Sequence, residues 1–208
     1  MGSSDKSTNL KEKLKQALVS TARAISDDFK NIENKKKEKS SKNHDFIEID
    51  NLQTKNDFIK ARAESDSLAL KKKFSDDSVH KKNSPSNTSC KTLYTIAEKI
   101  RYESLGIKIL KGIEINLKEN YSQMINTKRK ESLNSKDDIT ISEAFELYML
   151  KKFLNIKLNP LTSRMLNFWE KDFDQAIEKH INFLKENLES QNQYSTRFSK
   201  ILQEMDIF

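Results

Sequence analysis

The sequence predicts an all-α fold, a bundle of about seven helices with a flexible Lys-rich insertion after the first helix. Only three glycines and two prolines occur in 208 residues, which is too few for the turns of a sheet-rich protein of this length. Apolar residues recur every three or four positions along most of the chain, a pattern typical of one buried stripe per helix. The length suits a single domain spanning residues 1–208.

The first helix and the segment after it differ in composition. Apolar residues between Leu10 and Phe29 recur at three- and four-residue spacing, which predicts one long helix. Residues 34–43 are rich in lysine and contain no apolar side chain, so we expect a flexible insertion over residues 30–45. Residues 44–52 alternate apolar and acidic side chains and allow one short strand.

Six further helices are predicted by stripes of the same period. Their approximate ranges are 57–74, 93–106, 108–125, 142–154, 161–189 and 190–207. Gly106 stands where a left-handed C-cap would end the third helix. Pro160 marks the break before the longest helix. No internal repeat is visible, so we expect one helical bundle.

Composition excludes several classes of function. A single cysteine can form neither an internal disulfide nor a cysteine zinc site, and it fits a reducing compartment. With three glycines and no G-K-S/T sequence, the chain lacks a nucleotide-binding P-loop. No apolar run approaches the roughly 20 residues that span a bilayer, and residues 1–28 lack the pattern of a signal peptide. We therefore expect a cytoplasmic protein with no membrane contact.

Few side chains could bind a metal or act as a nucleophile. Asp77 and His80 could share a helix face and ligate one ion, but two ligands are too few for useful affinity. His180 is expected to face solvent. Cys90 stands near a helix start, where the helix dipole could lower the pKa of its thiol, but a small half-buried residue is the favoured interpretation. We predict no catalytic, cofactor-binding or metal-binding residue in this chain.

Three lysine-rich clusters allow another class of function. They lie at residues 35–42, 71–73 and 128–130. Because such runs can bind phosphates through counterion release, a basic helical protein that binds nucleic acid or an anionic surface stays an alternative. The clusters fall in predicted loops and helix ends, and no recognition helix or stacking platform accompanies them, so nucleic-acid binding is disfavoured.

The segment E-K-I-R-Y-E-S-L-G brings opposite charges together. Glu98 and Arg101 stand at positions i and i+3 and are neighbours on a helix surface. An exposed pair would contribute only a few tenths of a kcal/mol, whereas a buried pair would fix a contact between helices. Glu98 and Glu103 could be catalytic only beside a cleft and a cofactor.

The stretch 93–121 resembles the N-terminal helical domain of CobT, a subunit of the aerobic, ATP-dependent cobaltochelatase. The family pattern is E-x-x-R-x-E-x-x-G followed by a G-x-x-x-N-L helix that ends near a tyrosine. The matching positions are Glu98, Arg101, Glu103, Gly106, Gly112, Asn116, Leu117 and Tyr121. Residues 164–169, ending at Trp169, resemble a later family helix, and we treat all these positions as structural or interaction residues.

The resemblance implies a role in cobalamin biosynthesis. CobT works with a CobS-type AAA+ ATPase and a CobN-type large subunit to insert Co²⁺ into hydrogenobyrinic acid a,c-diamide. The complex would use ATP, Mg²⁺ and Co²⁺, while this chain would bind none of them and act as a non-catalytic interaction module, with a homo-oligomer as a further possibility.

Two departures from the family pattern bear on that role. The sequence contains no D-x-S-x-S pattern, so we expect the C-terminal von Willebrand A domain of the family to be absent. Ser75 and Asp76 stand where the family has a His-Asp pair. The chain could therefore instead adapt an AAA+ remodelling ATPase to a client outside cobalamin synthesis.

Overall fold

The computed structural model describes residues 3–26, 54–128 and 133–205, and the side chains from residue 12 onward. All regular structure in these ranges is helical, which confirms the predicted all-α class. The α-helices are α1 Ser3–Ile25, α2 Lys55–Phe74, α3 Asp77–Asn83, α4 Thr88–Ile109, α5 Lys111–Thr127, α6 Ile141–Leu154, α7 Pro160–Asn167, α8 Glu170–Ile177, α9 Ile181–Glu186 and α10 Gln191–Glu204. Two 3₁₀ turns occupy Lys136–Asp138 and Glu178–His180. The insertion predicted at residues 30–45 and the strand allowed at 44–52 lie outside the described residues.

Local side-chain hydrogen bonds explain where several helices begin and end. Thr54 caps α2 in a reciprocal capping box with Asp57, the two bonds measuring 3.2 and 2.7 Å. Asn159 caps α7, and Pro160 occupies its first turn, where a missing N–H group does no harm. Helix α6 ends at Asn155, whose left-handed backbone has a φ of 53°.

Helix α4 lies at the centre of the bundle. It packs against α2, α5, α6 and α10, and its residues are buried without interruption from Ile100 to Gly106. Large buried side chains surround this segment, with Tyr94 on α4 itself and Phe145 and Phe198 on the neighbouring helices. A helical segment that is buried on every face leaves its polar side chains no access to water, so these must find partners inside the protein.

The C-terminal end predicted for α4 was wrong. Asn87 caps the helix, its side-chain oxygen accepting the Cys90 N–H at 3.1 Å, so α4 begins at Thr88 and Cys90 lies near its start, as expected. The helix also continues past Gly106 to Ile109, and no glycine among the described residues has a positive φ. Gly106 therefore does not form a left-handed C-cap.

The predicted long helix over residues 161–189 is instead a series of short helices. Its stripe is correct, since Phe173, Ile177 and Leu184 are buried, but the helical path breaks around Trp169 and again at the turn Glu178–His180. A straight helix of that length would extend about 44 Å, well beyond the other helices. The breaks keep the apolar side chains against α6 and α10.

Two smaller differences concern the region around α2. The short helix α3 was not predicted; Asp76 caps it by accepting the N–H groups of Ser78 and Val79. The apolar stripe predicted over residues 57–74 includes Phe58 and Leu68, but the structure leaves these two side chains 38% and 41% exposed. None of the described helices is long and apolar enough to cross a bilayer.

Candidate functional site

The E-x-x-R-x-E residues lie on α4 where it is most enclosed. Glu98, Arg101 and Glu103 are each at most 3% exposed. Glu98 and Arg101, three residues apart, share one face of the helix, whereas Glu103 leaves the helix in a different direction. Glu98 and Arg101 point towards the end of α2 and the start of α10, while Glu103 points towards α2 and α5.

Arg101 joins three parts of the chain through its guanidinium group. Its Nη1 donates to the carbonyl of Leu188 at 2.9 Å, and its Nη2 donates to the carbonyl of Phe74 at 2.6 Å and to the hydroxyl of Ser75 at 3.2 Å. Its Nε donates to Glu98 at 3.3 Å. The pair is therefore buried, which is the case in which it fixes contacts between helices.

The carboxylate of Glu98 is also fully engaged. One oxygen accepts the hydroxyl of Ser195 at 2.7 Å, and the other accepts Gln191 Nε2 at 3.1 Å as well as Arg101. The side-chain oxygen of Gln191 in turn accepts the N–H of Asp76 at 2.6 Å. The sequence offered no signal for Gln191 and Ser195, because they lie more than 90 positions from Glu98.

Glu103 forms a second buried cluster on the other side of α4. Its two oxygens accept the hydroxyls of Ser67 at 2.6 Å and Tyr121 at 2.5 Å. Burial is the main cause that raises the pKa of Glu103 above its ordinary value of 4.5, while nearby Lys99 acts in the opposite direction. Burial likewise raises the pKa of Tyr121. The hydroxyl therefore stays protonated and donates a hydrogen bond to the carboxyl group of Glu103.

The raised pKa of Glu103 predicts a pH-dependent contribution to stability. The folded protein holds the proton to a higher pH than the unfolded chain does, so this contribution is fully present below pH 4.5 and is lost as pH rises through the folded pKa. We expect Glu103→Gln to be more stable relative to the natural chain at pH 8 than at pH 5, measured by urea unfolding. Glu64→Gln, an equivalent change at a half-exposed position on α2, should show no such trend.

The remaining motif positions contribute packing and one further hydrogen bond. Asn116 donates to the buried side chain of Asp66 at 2.7 Å and so ties α5 to α2. Gly106 packs directly against the buried side chain of Leu70, leaving no space for a Cβ atom. Gly112, by contrast, has no atom within 4 Å of the position that a Cβ would occupy.

Trp169 lies apart from the α4 motif, at the break between α7 and α8. Its ring stacks on Phe173 with centroids 6.2 Å apart, and Lys136 Nζ lies 4.0 Å above the ring. Lys136 also donates to Asp172 at 2.5 Å. This tryptophan therefore attaches the Lys136–Asp138 turn to α8 through a cation–π contact.

Two cavities open beside the motif on α4. The first has a volume of about 290 Å³ and is lined in part by Glu98, Lys99 and Tyr102. The second, of about 280 Å³, lies beside Glu103 and Tyr121 and shares Lys99 and Tyr102 with the first. Both buried carboxyl groups border accessible space, but their oxygens accept hydrogen bonds from other helices, as described above.

The other candidate side chains do not form a reactive centre within the described residues. Asp77 and His80 both lie on α3, and no three His, Cys, Asp or Glu side chains in the described ranges could hold a metal together. Cys90 is buried rather than half-buried, and burial raises the pKa of its thiol instead of lowering it. His180 is half-buried, and burial is the main cause that lowers its pKa.

The lysine clusters are only partly within the described residues. The last turn of α2 contains Lys71, Lys72 and Lys73. Positive charge at this end of a helix interacts favourably with the helix dipole. Lys128 pairs with Glu143 at 3.0 Å. The cluster at residues 35–42 and most of the cluster at 128–130 lie outside the described ranges.

Together these observations define an all-helical protein whose buried charged residues join its helices. The chain belongs to the CobT family: the family model described as cobalamin biosynthesis protein CobT matches residues 8–208. This match confirms the resemblance and places the chain among cobaltochelatase proteins of cobalamin biosynthesis, a family that associates with other cobaltochelatase subunits. No curated protein and no solved structure matches the chain.

Proposed function

We propose that this chain is a non-catalytic subunit of ATP-dependent cobaltochelatase, an interaction module for a CobS-type AAA+ ATPase. The complex would include a CobN-type large subunit and use ATP and Mg²⁺ to insert Co²⁺ into hydrogenobyrinic acid a,c-diamide. The observation that supports this proposal is that the family-motif side chains form structural hydrogen bonds inside the protein. Glu98, Arg101 and Glu103 hydrogen-bond to other helices rather than converging on a shared reactive centre.

Docking to the ATPase is tested by measuring complex formation directly. The chain is mixed with a CobS-type ATPase with and without ATP, and particle masses are measured by mass photometry. We expect a complex whose abundance depends on the nucleotide. An AAA+ ATPase from an unrelated pathway serves as the control, and equal behaviour of the two ATPases would contradict the proposal.

The non-catalytic role is tested separately in a reconstituted cobalt-insertion assay. Glu103→Gln keeps the shape of the side chain and removes its ability to ionise. If the motif is structural, the complex containing this variant should insert cobalt at a rate within about twofold of the natural complex. A hundredfold loss with an intact complex would indicate a role in catalysis, since removal of a group that acts in general acid–base catalysis costs about 10²–10⁴-fold.

The alternative of an ATPase adaptor outside cobalamin synthesis makes a different prediction. It also requires the nucleotide-dependent complex, but it does not require a CobN-type protein. A source genome that encodes a CobS-type ATPase and lacks CobN and the corrin pathway would favour the adaptor and contradict the cobaltochelatase proposal.

A further inference from the structure

An apolar surface is exposed where α4 meets α5. Ile109, Leu110 and Ile115 are 53%, 46% and 54% exposed, although they lie within seven residues of one another. Leu110 is the last residue before α5, and its apolar side chain cannot cap that helix by hydrogen bonding. Single exposed apolar residues are common, whereas exposed apolar residues that are grouped are a feature of interaction surfaces. We call Ile109, Leu110, Gly112 and Ile115 the elbow patch.

Gly112 has no evident role within the described part of the fold. Its φ is negative, like that of every described glycine, and a Cβ at this position would meet open space. Glycine within a helix costs roughly 0.5–1 kcal/mol relative to alanine, and its use is often to let another backbone approach closely. Gly112 and Ile115 are three positions apart and so lie on one face of α5. This face therefore combines an apolar side chain with space for a second backbone.

The charged residues around the elbow patch have a small positive excess. Lys111 and Lys118 both bind the carboxylate of Glu114, at 2.6 and 2.7 Å. Lys108 is exposed, directly precedes Ile109, and forms no ion pair with the described residues. Glu119, four positions after Ile115 on the same helix face, is also exposed. Three lysines and two glutamates thus surround the elbow patch in the sequence, and the remaining positive charge favours acidic groups on whatever covers the patch.

We propose that the elbow patch docks an amphipathic helix of a partner protein, one whose apolar stripe is edged by Asp and Glu side chains. The apolar residues of that helix would cover Ile109, Leu110 and Ile115, its backbone would approach over Gly112, and its carboxylates would pair with the lysines. A lipid surface fits less well, since membrane-bound helices present a long apolar face and three side chains make a short one. The partner is the ATPase subunit if the proposed function holds.

The chemistry of the patch is tested with peptide probes that do not require the ATPase. Two labelled 18-residue amphipathic helices carry the same leucine stripe, one edged by glutamate and the other by lysine, and binding to the full chain is followed by fluorescence anisotropy. We expect saturable binding of the acidic peptide that weakens with added salt, and at least tenfold weaker binding of the basic peptide. Equal binding of the two peptides, or no binding of the acidic one, would overturn the proposal.

Variants then locate the binding site. Ile109→Ser with Ile115→Ser, and separately Gly112→Leu, should each weaken acidic-peptide binding at least tenfold, because they remove the apolar contact and block the backbone approach. Phe58→Ser is the matched control: it changes another exposed apolar residue, on α2, and should leave binding unchanged. Unaltered binding by both patch variants would contradict the assignment.

The same variants separate this proposal from the proposed function. If the natural chain and the Ile109→Ser, Ile115→Ser variant bind the ATPase equally, the elbow patch is not the docking surface and the proposed function stands. If the acidic peptide binds at the patch and the natural chain fails to bind the ATPase, the proposed function fails alone. Patch-dependent dimers in sedimentation, or patch-dependent binding to phosphatidylserine vesicles, would instead identify a second copy or a lipid as the occupant and overturn the proposal.

Discussion

Replacing Arg101 with methionine should destabilise the fold by about 3–5 kcal/mol, the cost typical of removing one member of a buried ion pair. The variant leaves the carboxylate of Glu98 without a cation and removes the donors to the carbonyls of Phe74 and Leu188. Urea unfolding followed by circular dichroism measures the change. Lys91→Met, at an exposed position on α4, should stay within about 0.5 kcal/mol of the natural chain.

A double variant distinguishes the buried charge from the lost packing. Arg101→Met combined with Glu98→Gln removes both charges and keeps an acceptor for Ser195 and a polar partner for Gln191. We expect it to be more stable than Arg101→Met alone, because apolar or neutral replacement of a whole buried pair is often tolerated. A double variant less stable than either single one would show that the uncompensated charge is not the main cost.

The two glycines of the family motif should respond in opposite directions to alanine. Gly106→Ala places a methyl group against Leu70, whose Cδ2 and Cγ atoms would lie 2.6 and 3.0 Å away, and overpacking of this kind costs about 1–3 kcal/mol. Gly112→Ala adds a methyl group in open space and should stabilise by up to about 1 kcal/mol through helix propensity. The free energies of unfolding of both variants, obtained by the same urea titration, provide the comparison. A loss of stability in both would contradict the assignment of Gly112 to the surface.

Periodicity predicted most helices because each stripe depends only on residues close in sequence. It failed where a distant contact decides the outcome. Gly106 is compatible with a C-cap or with close packing, and only the position of Leu70 on α2 selects the second. The break at Trp169 contains neither glycine nor proline, so the local sequence does not predict it. The packing of the short helices against α6 and α10 determines where the chain turns.

The candidate site, like the helices, was predictable only where its contacts are local in sequence. The sequence identified Glu98, Arg101 and Glu103 as the charged residues of interest, and the i, i+3 spacing correctly paired the first two. It could not identify Ser67, Ser75 or the residues of α10 as their partners. The sequence alone does not show that a serine or glutamine on a helix is buried. Their burial becomes evident only when the structure places them against α4.

The hydrogen bond between Arg101 and Leu188 has a consequence for the order of events during synthesis. The two residues are 87 positions apart, so a ribosome adding about 5–20 residues per second needs about 4 to 17 s to pass from one to the other. Until then α4 cannot bury its arginine with all its acceptors in place. The nascent chain would therefore hold its central helix partly open, and a chaperone that binds exposed apolar segments would have those seconds in which to act.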